Sequence, residues 1–594
     1  MRMSSLFTAV SGLNGAQAGL YVAGHNLANS ESTGYTRQRV LYRDESYLAV
    51  GEGNMGKMQV GLGSAVESIS NIRDRFLDAS YRVENSKLAF YSQKSYVGRE
   101  METIFGELQS DYNAWSVFDD MWRALDELST YPAGLENRGN FFNMCNTLIT
   151  KAQNIYDRLV DTQYDLDRQV REQVMQTNHL ISEIKSLNSI ISASEISGDN
   201  ANDHRDTRNL ALDKLSGIMG IRYREKIDGT VDVFTSEGDQ LLVNGMQHNI
   251  GLKYTSSEFP FVEPIFTQST SILPSDATPG SYRPLFTLIG KVDALNKNDA
   301  GSLKSLLVSR GTRAINYSDN RENLGVRPTS SDIDEVTGDP KYPGGINDVQ
   351  LRIDILEYEK ELFNMEQAFI PRTQKEFDKL FNAIVEMLND AFAPEAGYTI
   401  DGDGNRIPNA EGTPFGLNGA QFTELFVRNL ESYPRYDENG QYIEPDPNDF
   451  YSLYSIGNVK INPLFSQASG YNLLAVSKDG DADNNQIILD VLDIWKSGFI
   501  ETGRPGALNV DQYYRHFMNG LASETDKATK FTDSQVGLIV EIDNKRKTIS
   551  GVATDEELTF IMKFQHTYNA NSRILNMIDS LIDTVVNGTG RVGR

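Results

Sequence analysis

Three short stretches of the sequence space their side chains as sites of chemistry do. Gly51, Gly53 and Gly56 in GEGNMG form a GxGxxG pattern. That pattern binds a dinucleotide phosphate when it opens a helix inside a βαβ unit. KMQVGLG follows it here, a strand-like or loop sequence, so the motif reads as a loop. DGDADNNQIILD sets Asp479, Asp481 and Asp483 at the first ligand spacings of a calcium loop. Its sixth position is Asn484, where glycine is required, and its last is Asp490, where a bidentate glutamate belongs. The expected role is therefore a cap, from Asp483 or Asn484, on the helix QIILDVLDIW. DGDGNRIPNAEG, residues 401–412, lacks both the glycine and the terminal acid and reads as a hairpin turn. The histidines are His25, His179, His204, His248, His516 and His566, and none pairs at metal spacing. His204 and Asp206 are close in sequence, but no nucleophile motif such as GxSxG accompanies them. No catalytic, cofactor or metal site is assigned, and the chain reads as not an enzyme. One reading of another class stays open: an extracellular glycan-active enzyme or adhesin. It requires a concave site in 246–350 or 396–450 with two facing carboxylates.

The elements that could position any site belong to a large acidic chain. It has 594 residues, a net charge of −26, 39% hydrophobic residues and a mean hydropathy of −0.42. Such a length suits about three to five domains. The acidity repels phosphate backbones, so no nucleic-acid partner is expected. No run of about 18 apolar residues occurs, so no membrane span is expected. Cys145 is the single cysteine and excludes an intrachain disulfide; its setting in FFNMCNTLI predicts a buried, inert thiol. The start, MRMSSLFTAVSGLNGAQAGL, breaks its apolar residues with Ser, Gly, Asn and Gln and does not form a secretory signal core.

Both ends read as seam-forming helices. Leu6, Ala9, Leu13, Ala16, Leu20, Ala23 and Leu27 recur at alternating steps of 3 and 4. The helix is predicted to stop near Ala28–Asn29, with Asn29 in a left-handed cap. Gly34 then turns the chain into the strand TRQRVLY. At the other end Thr554 and Glu557 fit a capping box, with Asp555 and Glu556 favouring the helix start. Leu558, Ile561, Phe564, Tyr568, Leu575, Ile578, Ile582 and Val585 then mark one apolar face. Two arrangements compete. Each helix docks on its own domain, or the two termini pair and pack against other subunits.

The text around these helices resembles the bacterial flagellar axial proteins. HNLANSESTGYTRQRV, residues 25–40, is similar to their N-terminal signature through Ala28, Asn29, Thr33, Gly34, Tyr35, Arg37 and Gln38. The far end is similar to their C-terminal signature through Gly551, Val552, Asp555, Glu556, Glu557, Phe564, Gln565, Tyr568, Asn569, Ala570 and Asn571. Ala553-Thr554 departs from the usual Asn-Leu. GLGSAVESISNIRDRFLD, NDHRDTRNLALDKLS and VKINPLF with NNQIILDVLDIW narrow the likeness to the hook-associated members at the hook–filament junction. In the second of these, Asp206, Arg208, Leu212, Asp213, Leu215 and Ser216 match. A rod or hook protein is the alternative within the class. The resemblance is weak or absent in 246–350 and 396–450.

The resemblance implies an extracellular structural subunit, exported unfolded through the flagellar type III channel without a cleaved signal. It implies a ring of identical subunits, with the hook protein, an adjacent junction protein and an export chaperone at the C-terminal helix as partners. No cofactor is implied. The assembly interface then falls on Leu6, Leu13, Leu20, Leu27, Asn29, Gly34, Tyr35, Ile561, Phe564, Tyr568, Leu575, Ile578 and Ile582.

The expected fold is α+β and multidomain: a coiled-coil-like stalk of terminal helices, a long-helix bundle, and mainly β side domains inserted between helices. Residues 1–45 with 550–594 form the terminal segment. Residues 46–220, 350–395 and 505–549 form the bundle. Long helices run through 85–195, broken at Tyr131-Pro132-Ala133-Gly134, with a heptad over Leu166, Val170, Gln173, Thr177, Leu180, Ile184, Leu187 and Ile191. Residues 221–349 are expected to be β-rich, with turns at Asp228-Gly229 and Glu237-Gly238. Residues 396–504 form a second, partly β, acidic outer domain, in which 396–450 is a surface insertion.

Overall fold

The computed structural model describes every residue other than 1–3, 54–55, 107–113, 199, 256–259, 267–271, 274–282, 289, 334–339, 346–347, 401–405, 409–413, 418–419, 421, 467, 502–505 and 589–594. The chain opens with α1 (Ser4–Ala28). Asn29 ends it through its side chain, whose Nδ2 donates to the His25 carbonyl at 3.1 Å. Among the described non-glycine residues only Asn244 and Lys297 have positive φ, so the left-handed cap expected at Asn29 is replaced by this side-chain bond. The left-handed residue is Gly34, at φ +84°.

Strand β1 (Gln38–Asp44) enters a two-stranded antiparallel ribbon completed by β4 (Ser64–Asn71), and β2 (Tyr47–Gly53) and β3 (Gly56–Gly61) form a hairpin between them. Gly51 and Gly53 lie in β2 and Gly56 opens β3, so GEGNMG flanks a hairpin and opens no helix; residues 54–55 of the motif lie outside the described residues. Long helices follow: α2 (Arg75–Phe105), α3 (Ala114–Thr130) and α4 (Leu135–Ile196). The break at Tyr131–Gly134 is present. Within the stretch read as helix, α2 ends at Phe105 and Gly106 takes φ +76°; residues 107–113 lie outside the described residues.

Helix α5 (Asn202–Ile218) leads into β5 (Ile221–Glu225), β6 (Val231–Thr235), β7 (Gln240–Val243) and β8 (Met246–Gln247), a four-stranded antiparallel meander. Gly229 and Gly238 take φ of +77° and +102° at the turns read from Asp228-Gly229 and Glu237-Gly238. A second sheet is built from β9 (Ile250–Tyr254), β10 (Val262–Phe266), β11 (Ile272–Leu273) and β12 (Arg283–Pro284) in the order β11-β9-β10-β12. Helices α6 (Ser302–Arg310), α7 (Arg321–Leu324), α8 (Val349–Glu366) and α9 (Phe369–Phe392) come next. Two short antiparallel pairs, β13 (Tyr398–Ile400) with β14 (Arg406–Pro408) and β15 (Phe426–Arg428) with β16 (Val459–Ile461), precede α10 (Gln486–Ser497). The chain ends in α11 (Val510–Ser550) and α12 (Thr554–Asp583).

Two compact units divide these elements, with boundaries inside α2, α4 and α11. Unit 1 takes Met1–Ala89, Met175–Asn249 and Asp533–Arg594; unit 2 takes Phe90–Val174 and Ile250–Thr532. In unit 1 the α4 heptad buries Thr177, Leu180, Ile184, Leu187 and Ile191. In unit 2 a core cluster gathers Phe90 and Tyr91 with Val292, Val308, Phe363, Ala368 and Ala528. Cys145 is fully buried, and burial raises its thiol well above the ordinary range.

Unit 2 corrects the reading of 396–450 as a surface insertion. Phe422, Leu425 and Phe426 are buried, and the Asn389 side chain accepts from the backbone N–H groups of Leu425 and Phe426 at 3.1 and 2.9 Å. Arg435 is also buried, donating to the Ala393 carbonyl at 2.9 Å and to Asp390. Glycine, proline and acid give the stretch a surface composition, yet its few apolar side chains fill the core beside α9. The turn of DGDGNRIPNAEG lies largely outside the described residues, but its flanking strands pair antiparallel from Tyr398↔Pro408 to Ile400↔Arg406. In DGDADNNQIILD, Asn484 Oδ1 accepts from Gln486 N at 3.0 Å at the start of α10, and Asp490 pairs with Lys478.

Candidate assembly site at the paired termini

The two ends of the chain meet inside unit 1. Residues at seven-residue steps on α1 face residues at seven-residue steps on α12, in reverse order. A Cβ on Gly12 would stand 2.7 Å from Asn571 Nδ2, and one on Gly19 would stand 2.5 Å from the Phe564 ring. One heptad further, Asn26 Nδ2 donates to Glu557 Oε2 at 3.2 Å. The helices are therefore antiparallel and in heptad register, with small residues in the seam.

This shifts the seam read from sequence. Ala9, Ala16 and Ala23 are buried as expected, but their partners at the alternate steps are Gly12, Gly19 and Asn26. Leu6, Leu13, Leu20 and Leu27 flank the contact and are only half-buried. Leucine suits a seam of ordinary width. Here the bulky Phe564 and Asn571 come from the partner helix, and only glycine leaves them room. On α12, Ile578 is buried and Ile561, Phe564 and Leu575 are half-buried, while Tyr568 and Ile582 are exposed. Across the α1 helix, Tyr42 Oη donates to the Gly15 carbonyl at 3.0 Å, which fixes β1 against it.

A polar junction locks the base of the pair. Asn26 is 1% exposed and satisfied on every side. Its Oδ1 accepts from Gln38 N at 2.9 Å and Tyr35 Oη at 2.8 Å, and its Nδ2 donates to the Gln38 carbonyl at 2.9 Å as well as to Glu557. Arg37 Nε meets Glu557 Oε1 at 2.7 Å, Arg37 Nη1 meets Glu556 at 2.9 Å, and Arg37 N donates to the Ser550 carbonyl at 2.8 Å. The capping box expected at Thr554 and Glu557 is absent from the start of α12, because the Glu557 carboxylate is buried and turned to Arg37 and Asn26. These charged partners outweigh a backbone cap.

Below this layer the α5 carboxylates continue the network. Asp206 Oδ2 accepts from Thr36 N at 2.9 Å, and its Oδ1 accepts from Asn71 Nδ2 at 2.7 Å and Arg73 Nη1 at 3.3 Å. Burial pushes the Asp206 carboxyl up to about 6, against the pull of Arg73 and these hydrogen bonds. Burial also works to raise Asp78, but Arg73, Arg546 and Arg82 hold it below the usual carboxylate value. Arg546 bridges Asp78 and Asp213 at 2.9 and 2.8 Å, and Arg82 reaches Asp213 at 2.7 Å. Burial, then Asp203, Asp206 and Glu557, raise the Tyr35 hydroxyl far above its ordinary value, so it stays a donor. The sequence singled out Tyr35, Arg37, Gln38 and Glu557, but not Asn26, Arg73, Asp78, Arg82 or Arg546. The missed Asn26 had a signal: it shares a seven-residue step with Gly12 and Gly19.

The outer faces of the pair carry exposed apolar side chains among polar ones. Of the 30 residues of α12, Glu557 and Ile578 are buried. Phe560, Ile574 and Leu581 stand exposed at multiples of seven, beside exposed Leu558, Met562 and Met577. On α1, Phe7, Val10 and Tyr21 are exposed. Exposed apolar side chains grouped in this way make the pair a candidate site of association.

Unit 2 has a groove of about 690 Å³ containing Glu386 and Asp390 of α9, Asp490 of α10 and Glu501. Burial raises Glu386 above the usual carboxylate range. Only Tyr317, Asn320 and Pro414 of its lining come from the stretches in which a glycan-active site was expected.

Residues 99–317 match the family model described as the flagellar hook-associated protein FlgK helical domain. Over 592 residues the chain is 25% identical to flagellar hook-associated protein 1 of Bacillus subtilis, covering 99% of both chains. It is 22% identical to the protein of that name from Escherichia coli, covering 98% of this chain and all of the relative. The structure of the flagellar hook junction protein FlgK from Burkholderia pseudomallei has the same fold, with a TM-score of 0.50 at 10% identity, over 80% of this chain and all of that one.

Proposed function

We propose that this chain, which belongs to the family of flagellar hook-associated protein 1, is a structural subunit of the bacterial flagellum that joins hook to filament. It is thus part of an external appendage and associates with hook and filament proteins. The FlgK helical domain over 99–317 favours the junction member over a rod or hook protein.

The observation that carries the reading is α12, a long helix with one narrow face on α1 and the rest of its apolar residues open. Each large apolar side chain that a neighbour covers fully contributes ~1.5–3 kcal/mol. Several such side chains per helix give a subunit that polymerises through its ends. The finer assignments follow from this. Copies pack as a ring through Leu6, Leu13, Leu20, Leu27, Ile561, Phe564, Tyr568, Leu575, Ile578 and Ile582. Asn29, Gly34 and Tyr35 hold the turn that sets the pair. The hook protein and an adjacent junction protein meet the ring on its two sides, and an export chaperone covers α12 before assembly. Export proceeds without a cleaved signal, and the single cysteine leaves no intrachain disulfide to be reduced for passage as an unfolded chain.

The test is the position of a tagged full-length chain on flagella. Label confined to the hook–filament boundary is expected. Label along the whole hook or in the basal rod overturns the junction assignment.

A further inference from the structure

Unit 1 has a second concave surface, separate from the apolar faces of the terminal pair. It is a groove of about 740 Å³ walled by α2, α5 and β5. Its charge is opposite to that of the chain. Arg73, Arg75, Arg82, Arg205 and Arg222 line it against two carboxylates, Asp78 and Glu225, in a chain of net charge −26.

Internal pairing does not consume this charge. Asp78 serves Arg73 and Arg546, while Glu225 serves Arg75 at 3.0 Å, Arg208 at 2.9 Å and Arg205. Behind the lining stand Asp206, Asp213 and Glu195, so seven guanidinium groups meet five carboxylates. Donors are left over, among them Arg208 Nε, which meets no acceptor among the described residues. Arg82 is 2% exposed and held by Asp213 at 2.7 Å and by the Tyr223 ring at 4.4 Å, yet its Nη1 meets no acceptor among the described residues. Arg222 is exposed on β5 and forms no ion pair among the described residues. Asn71, Asn202 and Asn209 add amides to the same walls. Guanidinium groups beside amides suit carboxylates, and Arg73, Arg82 and Arg205 are already held by Asp78, Asp213 and Glu195 before any ligand arrives.

The chain itself carries a complementary element. Residues 429–449 hold Glu431, Glu438 and Glu444, all exposed and without an ion pair among the described residues. The one base of that stretch, Arg435, has its side chain fully buried against Asp390, so its charge is withdrawn from the outer face. We propose that the arginine groove of one copy binds the acidic 429–449 loop of a second copy, taking the carboxylates of Glu431, Glu438 and Glu444. This gives laterally assembled subunits a polar contact distinct from the apolar contacts of their terminal helices. The proposal rests on copies assembling side by side. Its test uses the unassembled chain, so a failure leaves assembly through the termini standing.

A fluorescent peptide spanning residues 429–449 is titrated with the full-length chain at low salt, with anisotropy as the readout. Saturable binding is expected, weakened at least tenfold by Arg222→Glu and weakened further by added salt. Changing Glu431, Glu438 and Glu444 to Gln in the peptide should cost at least tenfold as well. Arg222 is an exposed strand residue, and an unchanged melting transition checks that R222E keeps its fold. Equal binding to wild type and R222E, or no saturable binding, overturns the proposal. Saturation by inorganic pyrophosphate without saturation by the peptide also overturns it and leaves a site for small oxyanions.

Discussion

Glu557→Gln tests whether the polar junction holds α12 in place. The Glu557 side chain is 3% exposed and accepts from Arg37 at 2.7 Å and Asn26 at 3.2 Å. Removing one member of a buried ion pair costs about 3–5 kcal/mol, because the other charge is left buried. Here Arg37 is 18% exposed and keeps Glu556 at 2.9 Å, so a cost of about 2–3 kcal/mol is appropriate. At 1.4 kcal/mol per factor of ten, the opening equilibrium of the helix should rise about 30–150-fold. The effect should be local, since Glu557 and Ile578 are the buried residues of α12. Hydrogen exchange over 554–583 is the assay, with thermal unfolding of the whole chain beside it. Faster exchange in α12 with an unmoved main transition is the expected result. A double-mutant cycle with Arg37→Ala then isolates the pair energy. Unchanged exchange in E557Q would refute the idea that the junction pins the helix. Equal loss of protection in both units would refute its being local.

Gly19→Ala places a Cβ 2.5 Å from Phe564 and should loosen the pair by about 1–3 kcal/mol, with partial rescue by Phe564→Leu; exchange over α12 reads both. Leu575→Asp with Ile578→Asp should keep the main melting transition and abolish incorporation at the junction, so that filament subunits escape into the medium; normal assembly counts against the seam. Deleting 396–450 should collapse the melting transition of unit 2, because Phe422, Leu425, Phe426 and Arg435 leave its core with it. Asp206 has a folded-state value of about 6 against 3.8 ordinarily, so its protonation stabilises the fold below about 3.8 and that gain is lost as pH rises through 6. Wild type should therefore lose about 2 kcal/mol relative to Asp206→Asn between pH 4 and 7 in urea titrations; a constant difference removes the raised carboxyl from the account.

Periodicity made the terminal helices legible, but not which of two adjacent seven-residue phases forms the seam. Leu6, Leu13, Leu20 and Leu27 look like core by hydrophobicity alone. Gly12, Gly19 and Asn26, one residue earlier, are the true contacts because of what α12 presents to them. No property of α1 itself encodes the size of Phe564. Glu557 was ambiguous for the same reason: Thr554 three residues before it satisfies the capping rule, and the rule cannot know that Arg37 stands opposite. Local signals fared better. The turns at Gly229 and Gly238 and the break at Tyr131–Gly134 depend on nearby residues and stand where they were read. In 396–450 the buried apolar residues Tyr398, Phe422, Leu425 and Phe426 are too few to set a period over a window of about 11–18 residues, so composition alone suggested a surface.

The small-residue seam explains how one chain can be both a discrete subunit and a polymer-forming one. Glycine and alanine bring two helices close but remove little apolar area from water, so the seam stabilises the pair weakly. The Arg37–Glu557–Asn26 junction adds a directional hold at one end of the pair. Large side chains such as Phe560, Met562, Ile574 and Met577 stay on the outer face. Had they filled the seam, the pair would be stable alone and would offer neighbours little. With the large residues outside and the small ones inside, most of the apolar area of α12 is left for the proposed packing between subunits to cover. In that proposed assembly the order of the terminal pair and the growth of the polymer would be one equilibrium, since a neighbour that covers the outer face would also hold the seam closed.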